Sequence, residues 1–262
     1  MFKLLKYEWL RRRKLLSVVF ISFLFAEAVT IFGMIKGEGW ILLSIFLMFA
    51  MFFVAMLLPL VDAVATYYSD FKKTHGYMLF LTPNNGFKIV GSKALFAFIE
   101  LILTLVLVSG LFFANYHVSK ISDPTIANGF DFLVSGISEA FAGSSSGLSP
   151  LVLLTTAGIL EYFTTIMLAM TALTIGRTLL SGKSYNWLVA LAMYIGLSVG
   201  IQFINIVILS AFGFIKDVLT IASTTQAIYF LKYMILGLGL SVLWIAASYI
   251  TSSLILNKRI DL

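Results

Sequence analysis

Apolar residues in this chain come in long unbroken stretches, not in the alternating or three-four patterns of a water-facing fold. Six of these stretches reach or exceed the roughly 20 residues needed to cross a hydrocarbon core of about 30 Å. They run approximately over 15–35, 40–66, 93–116, 150–180, 187–211 and 229–256. The expected fold is an all-α polytopic membrane protein with six transmembrane helices, one transmembrane domain spanning 1–262. Pro59 lies within the second stretch and predicts a kink there. Gly196 and Gly200 have the spacing that lets helices approach closely, and packing inside the subunit is the expected use.

Polar positions fill in the connections. Residues 1–14 place Phe2, Leu5 and Trp9 on one helical face with Arg12 and Arg13 beside it. That pattern fits an interfacial amphipathic helix, and equally an extension of the first span. The basic run Arg11-Arg12-Arg13-Lys14, next to a span, is expected to meet anionic lipid headgroups and not nucleic acid. A basic start followed by Ala26-Glu27-Ala28 also fits a cleavable leader, but the apolar run continuing to Ile35 favours a retained span. The outside connection 117–149 predicts a short amphipathic helix with Phe130, Leu133, Val134, Ile137 and Phe141 on one face, Asn128 as its cap, and Ser149-Pro150 opening the next span. A second short helix is expected between Phe212 and Ile228.

Composition agrees with burial in lipid. The chain is 60% hydrophobic and 11% charged, whereas a soluble domain carries about 25% charged residues. Lys and Arg fall unevenly between the two sides. Of the 18 in the chain, all but Lys36, Lys120, Lys216 and Lys232 fall on the side of the N-terminus, the second and fourth connections, and the C-terminus. The positive-inside bias therefore predicts cytoplasmic termini. The chain contains no cysteine, which excludes disulfides, thiolate metal sites and cysteine nucleophiles. His75 and His117 are too far apart in sequence to suggest a metal site. Gly176 to Ser184 resembles a phosphate-binding loop but has five residues between its glycines where four are required. It reads as a basic turn, so no nucleotide or other cofactor is expected on this chain, and it is not expected to be an enzyme.

Four acids lie in or near the spans: Glu27, Glu161, Asp62 and Glu100. An acid at mid-membrane costs about 2.5–3.5 kcal/mol on insertion scales. For Glu27 and Glu161, a polar lining or proton relay and a structural hydrogen bond are equal readings. Asp62 and Glu100 sit nearer the cytoplasmic ends, and the structural reading is favoured.

The connection 67–92 is charged, aromatic-rich and helix-compatible until Pro83, where helical geometry is disfavoured in the preceding residue. Asp70, Gly76, Leu79 with Leu81, Thr82-Pro83 and Lys93 recur in an order that resembles ABC-2 type transporter permeases, the membrane subunits of a class of ATP-binding cassette exporters. The six-span layout and basic N-terminal helix add to the resemblance, while the sizeable 117–149 connection departs from it. The resemblance implies a coupling helix within 70–81 that docks on a separate ATPase subunit, with Asp70, Phe71, Lys72, Lys73, Tyr77 and Met78 at the contact. It further implies ATP and Mg in that partner, a second permease chain as homo- or heterodimer, and a bacterial plasma membrane location. Export of a hydrophobic or amphipathic drug, peptide or lipid-like molecule would follow. A proton-coupled secondary transporter and a non-transporting scaffold or sensor are the alternatives.

Overall fold

The computed structural model describes residues 2–37, 39–72, 85–122, 128, 131, 132, 135, 150–179, 186–213 and 226–260. They form six long helices: α1 (Phe2–Lys36), α2 (Ile41–Lys72), α3 (Gly86–Ser122), α4 (Pro150–Leu179), α5 (Asn186–Ala211) and α6 (Gln226–Ile260). Each is long and apolar enough to cross a membrane, which is the pattern of a multi-pass membrane protein. Their outward faces agree: Leu42 is 80% exposed and Phe25 72%, a cost in water that hydrocarbon removes.

Helix ends extend past the apolar stretches. α1 has 35 residues, or about 52 Å at 1.5 Å per residue, well beyond the hydrocarbon thickness. The N-terminal segment expected along the interface is continuous with the first span in one helix. α2 likewise runs as one helical element through Pro59. The amphipathic helix expected within 117–149 and the short helix before Ile228 fall mostly outside the described residues.

The chain divides into two compact units. The first comprises residues 1–62 and 92–139, the second 63–91 and 140–262. Two of the three boundaries, at 62/63 and 91/92, fall inside the continuous helices α2 and α3, so each of these helices contributes to both units.

In the first unit, α1 and α2 form a hairpin. Its turn places Gly37 and Gly39 at φ of 80° and 83°, a left-handed region that glycine enters at little cost. Gly33 sits against Ser44, where an added Cβ would collide with the hydroxyl. Phe23, Met51 and Ala55 form the apolar core, with Val19, Ala26, Leu107, Val108 and Leu111 packed against them. On α3, Tyr116 donates to Asp131 Oδ1 at 2.8 Å, and Lys120 lies 3.6 Å from the same oxygen.

In the second unit, α4 packs against both α5 and α6. Gly176 brings α4 within 3.1 Å of the Ala190 backbone on α5, measured to the position a Cβ would take. The phosphate-loop lookalike therefore begins as the closely packed last turns of α4, and its residues 180–185 lie outside those described. Among the described residues, nothing lies within 4 Å of where a Cβ would stand on Gly196 or Gly200, so the close helix approach expected there inside the subunit is not seen among them. Thr171 joins α4 to α6, donating towards Ser248 O at 3.3 Å and accepting from Ser252 Oγ at 3.0 Å.

Candidate functional site

Five charged side chains from three helices meet inside the first unit. Glu8 and Arg12 lie one turn apart on α1, where residues four apart share a face. Lys93, Phe96 and Glu100 share a face of α3 by the same periodicity, and Asp62 comes from α2. Arg12 Nη1 donates to Asp62 Oδ2 at 2.5 Å and to Glu100 Oε2 at 3.4 Å. Its Nε lies 3.5 Å from Glu8 Oε2. Glu8 Oε1 accepts from Lys93 Nζ at 2.8 Å. The guanidinium also stands 4.4 Å from the Phe96 ring centroid, and the Trp9 ring meets Phe96 at a tilt, centroids 6.3 Å apart.

Burial sets the energetics. Arg12 is 4% exposed, Lys93 1%, Glu8 2% and Glu100 2%. Charges so enclosed are costly unless paired, and removing one partner of a buried pair costs about 3–5 kcal/mol. Three carboxylates face two cations, so the cluster carries one more negative charge than positive when every group is ionised. Glu100 Oε1 has no hydrogen-bond partner. Arg12 is the hub because its planar fork presents several donors at once, which an ammonium cannot. It ties α1 to α2 and α3 in one contact set.

Arg12 belongs to the basic run expected at lipid headgroups, and for this member the expectation fails. Arg11 and Arg13 are exposed, whereas Arg12 faces inward because four acids and cations from α1, α2 and α3 surround it. Glu8 completes the cluster with no sequence argument behind it, and Lys93, marked in the sequence only by the permease resemblance, proves to be its ion partner. The available signal was charge balance: Asp62 and Glu100, if buried, each need a cation, and the N-terminal run supplies one.

A second set of contacts holds the flanks of the 73–84 connection to helices of the second unit. On the α2 side, the Tyr67 hydroxyl and Thr174 Oγ1 of α4 lie 2.7 Å apart, and Arg177 of α4 stands 5.9 Å from the Tyr68 ring. On the α3 side, the Gly86 N–H donates to Asn257 Oδ1 of α6 at 2.6 Å, satisfying an orphan donor at the helix start. Tyr249 of α6 donates to Phe87 O at 2.8 Å. A Cβ at Gly86 would stand 2.8 Å from Ser253 O, so glycine is what allows this approach. Ile89, Val90 and Leu256 form an apolar core beneath these bonds.

No protein-family model matches the chain. No curated protein and no solved structure matches it either.

The remaining expected site residues lie as follows. Asp70 is buried near the end of α2, 5% exposed. Phe71 and Lys72 form the last residues of that helix. Lys73, Tyr77 and Met78 lie outside the described residues. Glu27 on α1 accepts from Asn115 Nδ2 on α3 at 3.2 Å, with Glu27 Oε1 and Asn115 Oδ1 both buried and unpartnered. Glu161 on α4 accepts from Ser241 Oγ on α6 at 3.0 Å. Among the described residues no group of three His, Cys, Asp or Glu side chains could hold a metal ion.

Proposed function

We propose that this chain is the permease subunit of an ATP-driven exporter of the ABC-2 type, energised by a separate ATPase that grips the connection between α2 and α3. The observation that carries this reading is the clamping of both flanks of that connection. Tyr67 holds the α2 flank to α4, and Gly86 with Phe87 holds the α3 flank to α6. A force applied to residues 73–84 would thus be passed to α4 and α6 through short hydrogen bonds. It would also travel along α2 and α3, which continue without a break to Asp62 and Lys93 and so to the ionic cluster.

Positive charge accumulates on the side of this connection, which supports a cytoplasmic orientation for it and for both termini. Phe71, Tyr77 and Met78 would supply apolar contact with the ATPase, and Asp70, Lys72 and Lys73 the charges that fix orientation and salt dependence. Two permease chains would flank the substrate route in a bacterial plasma membrane. ATP and Mg would be held by the partner, which performs the hydrolysis. The moved molecule would be hydrophobic or amphipathic.

The test uses full-length protein in membranes with its co-isolated ATPase. Phe71→Ala with Tyr77→Ala should weaken co-isolation and reduce stimulated ATP hydrolysis by tenfold or more. Unchanged assembly together with unchanged stimulated hydrolysis would refute the docking.

A further inference from the structure

In the second unit, three helices turn polar side chains toward one point at the middle of their apolar spans. On α5, Tyr194, Ser198, Gln202 and Asn205 form a stripe with helical spacing. Glu161, Thr164 and Thr165 come from α4, and Ser241 and Trp244 from α6. Together they enclose a small pocket of about 30 Å³. Two hydrogen bonds fix its walls: Ser241 Oγ donates to Glu161 Oε1 at 3.0 Å, and Trp244 Nε1 donates to Asn205 Oδ1 at 2.8 Å.

Unlike the Arg12 cluster and the Glu27–Asn115 pair, whose side chains are buried or nearly so, this pocket has two walls that reach the surface. Glu161 and Gln202 are exposed, although they sit near the centre of spans Val152–Thr178 and Trp187–Ala211. Hydrocarbon is a costly neighbour for a carboxylate. Ionisable groups at this depth face water-filled cavities or bind something, and they mark substrate and ion pathways. The sequence supplies no counter-charge: the nearest basic residues of α4, α5 and α6 are Arg177, Lys232 and Lys258, at span ends. The Arg12 cluster thus has cations for its acids, whereas among the described residues the Glu161 carboxylate receives a hydroxyl donor and no cation.

We propose that the pocket formed by Glu161, Gln202, Asn205 and Ser241 binds a small monovalent cation, the ammonium head of an amphiphile. Charge complementarity selects a cation. The acceptors are a carboxylate, amide oxygens and hydroxyls, which suit N–H donors. The cavity has room for at least one water-sized group, which is about the size of an ammonium head. Leu168 and Ile201, both buried, give the pocket an apolar wall, and the tail would leave on the exposed side of Glu161 and Gln202, among lipid. The binding does not need the ATPase. Only its place on an export route rests on the permease reading, where it narrows the substrate class to amphipathic amines.

Trp244 supplies a built-in reporter. Full-length protein with Trp9, Trp40 and Trp187 changed to Phe, held in lipid nanodiscs, is titrated with hexylammonium, with hexanol and with sodium chloride while Trp244 emission is followed. Hexylammonium should give a saturable change at a concentration at least tenfold lower than hexanol does. Glu161→Gln should abolish that preference while leaving the weak response to hexanol. Should that variant fail to fold, Gln202→Leu, at an exposed position, should lower hexylammonium affinity several-fold. Competition by sodium at millimolar levels would identify the cation as inorganic and overturn the amphiphile assignment. Equal responses to hexylammonium and hexanol, or a preference that survives Glu161→Gln, would overturn the site. Neither result touches ATPase docking, which is read separately through Phe71 and Tyr77.

Discussion

Lys93→Met offers the sharpest test of the ionic cluster. Lys93 Nζ lies 2.8 Å from Glu8 Oε1, and the two side chains are 1% and 3% exposed. Losing the ammonium leaves that carboxylate oxygen without its donor in a site water does not reach. Glu8 Oε2 stands 3.5 Å from Arg12 Nε but makes no hydrogen bond, so Arg12 compensates only in part. The expected loss is about 3–5 kcal/mol. At roughly 2–4 °C per kcal/mol for a chain of this size, the unfolding midpoint should fall by about 10 °C. Glu8→Gln alone should cost less, about 1–3 kcal/mol, since an amide oxygen still accepts from Lys93. The double variant removes both charges and should lie within about 2 kcal/mol of the parent, because a missing buried pair is far cheaper than a broken one. The assay is reversible unfolding in mixed micelles, followed by Trp9 fluorescence, since its ring packs at a tilt against Phe96, centroids 6.3 Å apart. Added salt should leave the cycle unchanged, as buried pairs are weakly screened. A coupling near zero between positions 8 and 93, or a pair that weakens with salt, would refute the buried-cluster account.

Arg12→Lys should destabilise by about 1–3 kcal/mol in the same assay, because one ammonium cannot replace a fork shared by Asp62, Glu100 and Glu8. Gly86→Ala should cost about 1–3 kcal/mol by forcing a Cβ toward Ser253 O at 2.8 Å, whereas Asn257→Ala, which removes only the cap, should cost about 1 kcal/mol. Asn115→Leu should cost about 1–3 kcal/mol by stripping Glu27 of its donor, and the double change Glu27→Leu/Asn115→Leu should recover most of it. Since the chain has no cysteine, single cysteines at Thr74 and Ser145 report sidedness cleanly. An impermeant maleimide should label position 145 in intact cells and position 74 only after permeabilisation.

The six helices were legible because hydrocarbon length imposes a long apolar run, and no pairing information is needed to see one. Their ends were less legible. α1 starts at Phe2 and α3 at Gly86, several turns before the apolar runs, since a helix can continue into the interface wherever neighbouring helices satisfy its polar side chains. Asp62 and Glu100 stood out as charges in apolar context, and they do meet a neighbouring helix through Arg12. Arg12 itself was hidden within four consecutive basic residues, and only the rotation of α1 selects which one points inward. Asn115, Thr174 and Asn257 were silent for another reason. Single amides and hydroxyls are common in spans, and their partners lie 88, 107 and 171 residues away in sequence, separations that local pattern does not encode.

The ionic cluster has a consequence for how the chain is made. Glu8 and Arg12 leave the ribosome with the first helix, but Asp62 follows 50 residues later and Lys93 85 residues after Glu8. At about 5–20 residues per second, that last interval is roughly 4–17 s. Throughout it, the nascent first helix holds an acid whose lysine partner does not yet exist, and for the first 50 residues its guanidinium also lacks Asp62. We expect the end of the first helix that carries them to stay in a watery or headgroup setting until the third helix arrives, which crosslinking of stalled nascent chains to lipid would test.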